Sequence, residues 1–236
     1  MPRVCHHDPV RKKGWAIVAG VLAALLLAAL AAAPWAYKNL LESPPQPALA
    51  LPGDAAPATT DVDGSWTVQS DSQAGYRVRQ QLLWEMIDVN GRTPAVTGSA
   101  DIAESRIRAL HFSVDMATLR SDSPGRDEKF RSADALETGT FRTAELFSNV
   151  PVDLSGVPAD GSPVHLEIPV HLTLKGVTRP AVASVDVRRN GDRVDVAGTV
   201  GVRLLDFNVD PPKPFMSLLE VQPTATIEFL VHLAKG

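Results

Sequence analysis

The residues best suited to metal or acid–base chemistry in this 236-residue chain are its six histidines and its single cysteine. His165-Leu166-Glu167 matches the H-x-E fragment of zinc deaminases, where a histidine holds the metal and a glutamate moves the proton. The P-C-x-x-C half of that site has no counterpart, because the one cysteine is Cys5. His111, His165, His171 and His232 offer a scattered three-histidine set, but the alternation of their neighbours puts His111 and His171 on the outward side of strands. Cys5-His6-His7-Asp8 lines up four ligand-type residues in a short terminal tail with no scaffold to fix a coordination geometry. Cys5 also precedes the apolar run rather than following it as a lipoprotein cysteine would, so its acylation is a weak reading. There is no G-x-S-x-G elbow, H-E-x-x-H, Walker loop or G-x-G-x-x-G. Acid–base work by dispersed carboxylates leaves no local signature, and no catalytic residue, metal ligand or cofactor is assigned.

The most regular pattern is LEIPVHLTL, residues 166–174. Leu166, Ile168, Val170, Leu172 and Leu174 fall at every second position with Glu167, Pro169, His171 and Thr173 between them, the period of a half-buried strand. Lys175-Gly176 supplies a flexible turn, and β-branched character resumes from Val182 to Val187, which makes a hairpin. Strands of ~30 Å with one aliphatic face suit a sandwich or barrel whose interior is either packed solid or left open to an apolar ligand.

At the amino terminus, Arg11, Lys12 and Lys13 precede an uncharged run over 15–36, long enough at ~1.5 Å per residue to cross a ~30 Å hydrocarbon layer. Residues 14–37 are therefore expected to be an uncleaved signal anchor, with 1–13 as a basic cytoplasmic tail and the rest exported. Trp15, Trp35 and Tyr37 bracket the run as interfacial aromatics do. The rival reading is a cleavable signal peptide ending at Ala31-Ala32-Ala33, against which stand the length of the run and Pro34 just after the cut. Residues 38–63, rich in Pro and Ala, read as a semi-extended spacer rather than packed structure. Folded structure is expected from Gly64-Ser65-Trp66.

Within 64–236, Trp66 starts a strand. Tyr76 and Val78 share one face of the next, with Arg77 and Arg79 toward solvent. Asn90-Gly91 reads as a turn, 96–102 and 106–116 as strands, and Leu110, Phe112, Val114 and Met116 as one face. Residues 120–149 break the pattern: 126–131 has the composition of a short helix anchored by Phe130, and 132–146 reads as further helical turns and loop. The mixed charges of 126–131 read as a solvated face, with a buried Arg126–Asp127 contact as the alternative. Asn190-Gly191 reads as a type I′ turn. Val194, Val196, Val200 and Val202 alternate beyond it, with Gly198 allowing a bend, and Pro211-Pro212-Lys213-Pro214 reads as a loop. Ala225, Ile227, Phe229, Val231 and Leu233 form the last apolar face. About eight strands and one helical insertion predict an all-β, antiparallel barrel. The net charge of −4, with no basic stripe interleaved with aromatics, argues against nucleic acid as partner.

Leu172-Thr173-Leu174-Lys175-Gly176-Val177-Thr178-Arg179-Pro180 resembles the LT-x-(H/K)-GVT(R/K)P signature of the YceI-like family, lipocalin-like barrels that bind polyisoprenoid or similar long apolar lipids. Trp66-Thr67-Val68 and Gly75-Tyr76-Arg77-Val78 resemble the opening strands of membrane-anchored members, Arg126-Asp127 an RD pair, and Asp206-Phe207 a late DF pair. Lys129, Arg142, Leu204 and Asn208 depart from the usual residues around the helical segment and barrel mouth. The resemblance implies a lipocalin-like barrel whose ligand wall is Tyr76, Val78, Phe112, Val114, Met116, Leu172, Leu174 and Phe207. Taken with the amino-terminal anchor and the missing catalytic motifs, it leads to the expectation of a non-enzymatic, membrane-tethered extracytoplasmic protein that sequesters or carries an isoprenoid or isoprenoid quinone. The alternatives are a solid-cored interaction or envelope-stress module, and an enzyme acting on a lipid-like substrate.

Overall fold

The computed structural model describes residues 10–36, 39, 44–82, 84–210 and 219–236. The Cys5–Asp8 cluster and the loop at Pro211 to Pro214 lie outside them. The chain forms two compact units, one containing the amino-terminal helix and one comprising Pro44–Leu82 and Met86–Gly236. The helix, α1 (Val10–Ala36), has no polar face from Ala19 to Ala33, and Leu22, Leu25, Leu26, Leu27 and Leu30 are all exposed. Among the described residues no helix is long and apolar enough to cross a membrane.

The second unit is built on antiparallel strands: β1 (Gly64–Val68), β2 (Gln73–Leu82), β3 (Glu85–Thr93), β4 (Val96–Ala103), β5 (Arg106–Asp115), β6 (Thr143–Ser148), β7 (Val152–Asp153), β8 (Val164–Leu174), β9 (Val177–Asn190), β10 (Arg193–Arg203) and β11 (Leu219–Lys235). Eight of them, β1, β4, β5, β6, β8, β9, β10 and β11, follow one another around a ring that closes where Trp66, Thr67 and Val68 pair with Lys235, Ala234 and Leu233. The expected barrel is therefore present. The β2–β3 hairpin extends from the amino-terminal part of β11, and β7 lies beside β5.

The local signals fared unevenly. Lys175 (φ 49°) and Gly176 (φ 72°) both occupy the left-handed region, which makes the β8–β9 turn type I′. At the β9–β10 turn Gly191 has φ 63° while Asp192 is not left-handed, so this turn is type II′ rather than the expected I′. Asn90-Gly91 is no turn: both residues lie within β3, where Asn90 is buried. The helical reading of 132–146 is also corrected, since its last residues open β6, a strand between β5 and β8. β6 is short, and its inward positions include Ser148, whose hydroxyl donates to Pro169 O at 2.7 Å, so its hydrophobic parity is weak.

Gly98 in β4 has φ 146°, and a Cβ there would lie 2.2 Å from the carbonyl oxygen of His111 on the neighbouring strand. Gly98→Ala is expected to lower stability by about 2–3 kcal/mol. Denaturant unfolding checks this, and an unchanged midpoint would contradict it.

Residues 44–63 are not a free spacer. They lie against the outer face of the barrel as a strap held mostly through its main chain. Arg77 donates to Gln46 O (2.5 Å) and Arg92 to Pro47 O. Leu49 N donates to Glu228 Oε2 (3.3 Å), and Arg188 to Gly53 O (2.6 Å). Ala58 N donates to Ala159 O and Thr59 N to Gly191 O. Beneath the strap are two buried polar clusters. Glu228, 1% exposed, accepts from Arg77 Nε (2.6 Å) and Arg92 Nε (2.9 Å), so Arg77 does not point freely to solvent as the alternation implied. Asp195, also 1% exposed, accepts from Arg188, Asn190 and His232. Burial pushes the Asp195 carboxyl up, but its hydrogen bonds from His232, Asn190 and Arg188 outweigh this and hold it below the usual carboxylate range.

Candidate functional site at the open end of the barrel

Cross-strand partners in an antiparallel pair point to the same face, so the register gives the barrel lining directly. At one end the inward side chains are packed solid: Trp66, Ile102, Val187, Val194, Val231 and Leu233 are all buried in one cluster. At the other end much of the lining is only half-buried. Tyr76 lies opposite Ile227 and Val78 opposite Ala225. Phe112 is flanked by Gly98 and Leu146, and Val114 by Val96 and Ala144. Tyr76, Val78, Phe112, Val114, Leu146, Ala225 and Ile227 are all of intermediate exposure although their strands are paired on both sides or lie against β11. Such side chains keep some contact with solvent, so this end, the open end, is less fully covered than the other.

Five of the eight expected wall residues, Tyr76, Val78, Phe112, Val114 and Met116, are half-buried in this way. The other three belong to the packed core: Leu172, Leu174 and Phe207 are 2%, 5% and 3% exposed. Phe207 ends the 3-10 turn Leu204–Phe207, which lies against β9, β10 and β11. Sequence reasoning left out Phe130, Leu146, Ala225, Ile227 and Phe229, all half-buried against the same core. The alternation of β11 places Ala225, Ile227 and Phe229 inward by the same argument that selected Phe112.

The helix α2 (Pro124–Arg131) contributes Phe130 to this end. Ser123 caps it by accepting from Arg126 N, and Pro124 occupies its first turn. Tyr76 stacks on Phe130 with ring centroids 4.5 Å apart and planes 12° apart. Gly91 lies under the Tyr76 ring, and a Cβ there would come within 2.6 Å of Cε1, so this glycine clears space for an aromatic residue rather than making a turn. Asp127 is 5% exposed and accepts from the Ser121 amide (2.8 Å) and hydroxyl (2.7 Å), while Arg126 pairs with Asp122. The charged run is thus partly structural, not a wholly solvated face. Around the opening, Arg142 pairs with Asp115 (2.6 Å) and Arg179 Nε donates to Asp206 O (3.2 Å).

Burial pushes the Tyr76 hydroxyl up to about 12, Arg126 opposing the shift and Asp127 and Asp122 adding to it. A raised pKa in the folded state means that stability is fully present below the unfolded value near 10 and falls as pH rises from there toward 12. Tyr76 is the only tyrosine after Tyr37, so absorbance titration of residues 44–236 should place the tyrosinate midpoint near pH 12. Ionisation near 10 in the folded domain would contradict this environment for Tyr76.

The four histidines among the described residues lie elsewhere. His165 is exposed on the outside of β8–β9 beside Asp186 (2.9 Å) and Glu167 (3.3 Å), whose hydrogen bonds raise its pKa. His111 pairs with Glu145 at 3.8 Å, His171 stacks on Phe147, and His232 is bound to Asp195. The H-x-E fragment is therefore a solvated ion cluster, remote in register from the lining.

The YceI-like domain model matches residues 66–233, nearly the whole barrel. The chain belongs to the YceI-like family. Among curated relatives of this YceI-like chain, a UPF0312 protein of Vibrio vulnificus is 30% identical over 129 residues, 51% of this chain and 65% of the relative. A UPF0312 protein of Vibrio cholerae is 31% identical over 117 residues, 47% of this chain and 58% of the relative. The match thus spans less than two thirds of these relatives. Two solved structures share the fold. A polyisoprenoid binding domain from Saccharophagus degradans has a TM-score of 0.56 at 16% identity, covering 72% of this chain and 98% of that one. BcnA from Burkholderia cenocepacia has a TM-score of 0.55 at 16% identity, covering 70% and 98%.

Proposed function

We propose that this YceI-like barrel sequesters or carries a long-chain apolar lipid, an isoprenoid or isoprenoid quinone, while its amino-terminal segment tethers it to a membrane with the barrel on the extracytoplasmic side. The observation that carries the lipid reading is the open end: half-buried apolar side chains face inward from β2, β5, β6 and β11, and Tyr76 is the one titratable group among these pairs. Such a lining favours burial over bond-making, because acid–base catalysis needs converging titratable groups. Removing a few hundred Å² of isoprenoid tail from water at ~25 cal/mol per Å² contributes about 5–10 kcal/mol before ordering costs. The family and the polyisoprenoid binding neighbour support the same ligand class. The tether reading is supported by the uncharged sequence over 15–36, the helix across it with no polar face among its described side chains, and the basic residues ahead of it.

Incubation with phosphatidylcholine vesicles containing a long-chain isoprenoid quinone, followed by flotation, tests the binding step with residues 44–236. Quinone recovered with vesicle-free protein supports it; protein that stays empty contradicts it. Export predicts that an alkaline phosphatase fused after Gly236 in the full chain is active, and an inactive fusion contradicts it. The burial of Leu172, Leu174 and Phe207 favours a second reading, a solid-cored interaction module. Empty, folded protein in the vesicle experiment is what that reading requires.

A further inference from the structure

The strap determines where the chain leaves the barrel. Its first contacts are at the open half: Gln46 N donates to Asn90 Oδ1 (3.0 Å), and Gln46 O accepts from Arg77, the residue between inward-facing Tyr76 and Val78. Its last contacts are at the packed end. Ala56 N donates to Asn190 Oδ1 (3.0 Å), Thr59 N donates to Gly191 O at the β9–β10 turn, and Val62 O accepts from the indole of Trp66 (2.7 Å). Residues 44–63 therefore run the length of the barrel on its outside. A chain free up to Gly64 would leave from the packed end, where Gly64 pairs with Ile102. The strapped chain leaves at Pro44, beside the opening.

We propose that the strap turns the barrel so that its open end faces the bilayer, with the apolar rim of the opening lying at the lipid surface. This rests on the tether reading. Only residues 37–43 separate Ala36 from Pro44 in sequence. That length reaches at most ~30 Å, against ~95 Å for a chain free up to Gly64. The barrel is itself ~30 Å long, from an 11-residue β8 at ~3.3 Å per residue and a ~40° tilt. For the packed end to face the membrane, the leash would have to run back along the whole barrel at nearly full extension, a state with almost no conformational freedom. With the open end toward the membrane, no such extension is required.

The rim has the chemistry for that position. β11 begins at Leu219 while its pairing with β10 begins at Thr224, so the end of β2 beside it projects past the ring. Met86, near the start of β3, is 42% exposed, and Leu205, in the 3-10 turn at the same end, is 53% exposed. Exposed apolar side chains at such a rim are better solvated at the apolar boundary of a bilayer than in water. A lipid tail could then pass between bilayer and barrel without crossing open water.

The test uses the full chain with Cys5→Ser, carrying a fluorophore at either Leu205→Cys or Asp192→Cys, both at exposed positions. Each is reconstituted into phosphatidylcholine–phosphatidylglycerol vesicles containing lipids with nitroxide headgroups. The expected result is several-fold stronger quenching at position 205 than at 192, which lies in the turn at the packed end. Equal quenching, or stronger quenching at 192, in protein that floats with the vesicles overturns the orientation and leaves the tether standing. Protein that does not float with the vesicles overturns both.

Discussion

Phe112→Asp is expected to give a folded domain that retains no lipid. Phe112 lies on the inward face of β5 between Gly98 and Leu146, half-buried at the open end, where a tail entering the barrel would meet its ring. The substitution removes aromatic contact area and places a carboxylate on an apolar wall. A ligand tail laid against that carboxylate would strip its water without supplying a hydrogen bond, a cost of several kcal/mol. Affinity should fall by at least about 100-fold, or ~3 kcal/mol. Because Phe112 is not fully buried in the empty barrel, the carboxylate can stay hydrated there, and the fold is expected to survive. Lipid per mole of protein after purification measures the effect, with circular dichroism establishing that the variant is folded. A folded variant that keeps stoichiometric lipid would contradict a ligand in this part of the barrel.

Glu228→Ala is expected to be strongly destabilising although it lies on the outer face of the barrel. The carboxylate is 1% exposed and is the shared acceptor for Arg77 and Arg92, whose side chains are themselves only 26% and 17% exposed. Removing it leaves two guanidinium groups close together beneath the strap with no anion between them. Breaking a buried pair in this way costs about 3–5 kcal/mol. Both arginines also donate to strap carbonyls, so the loss should loosen residues 44–49 as well as the barrel wall. Urea unfolding of residues 44–236 checks the first effect, and faster proteolytic cleavage within the strap checks the second. A loss below about 1 kcal/mol would show that the cluster is effectively solvated.

The barrel was legible where a strand keeps one face apolar for its whole length. Leu166 to Leu174 and Ala225 to Leu233 announce both their conformation and their inward side, because a strand has no other way to segregate those residues. β6 lacked this clarity, with polar Ser148 inward and Phe147 outward against His171. Asn90-Gly91 misled because a local turn preference was overridden by tertiary contacts: Asn90 accepts from the strap, and Gly91 makes room for Tyr76. The strap was illegible for a related reason. Its prolines suit an extended chain whether or not that chain is docked, and its partners, such as Arg188 for Gly53, lie 135 residues away. For the candidate site, alternation identified inward positions but not their depth. Leu172 and Phe112 obey the same parity, yet one is locked in the core and the other is half-buried toward the opening, a difference set by tertiary packing that alternation does not encode.

The central claim is that the barrel holds an apolar lipid, and the most direct measurement is of its contents. Residues 44–236, expressed in a bacterial host and purified without detergent, would be extracted with organic solvent and examined by mass spectrometry beside a mock purification. A long-chain isoprenoid at about one per protein molecule, absent from the mock, is the predicted result. A clean extract from folded protein that also takes up no added isoprenoid would contradict the account.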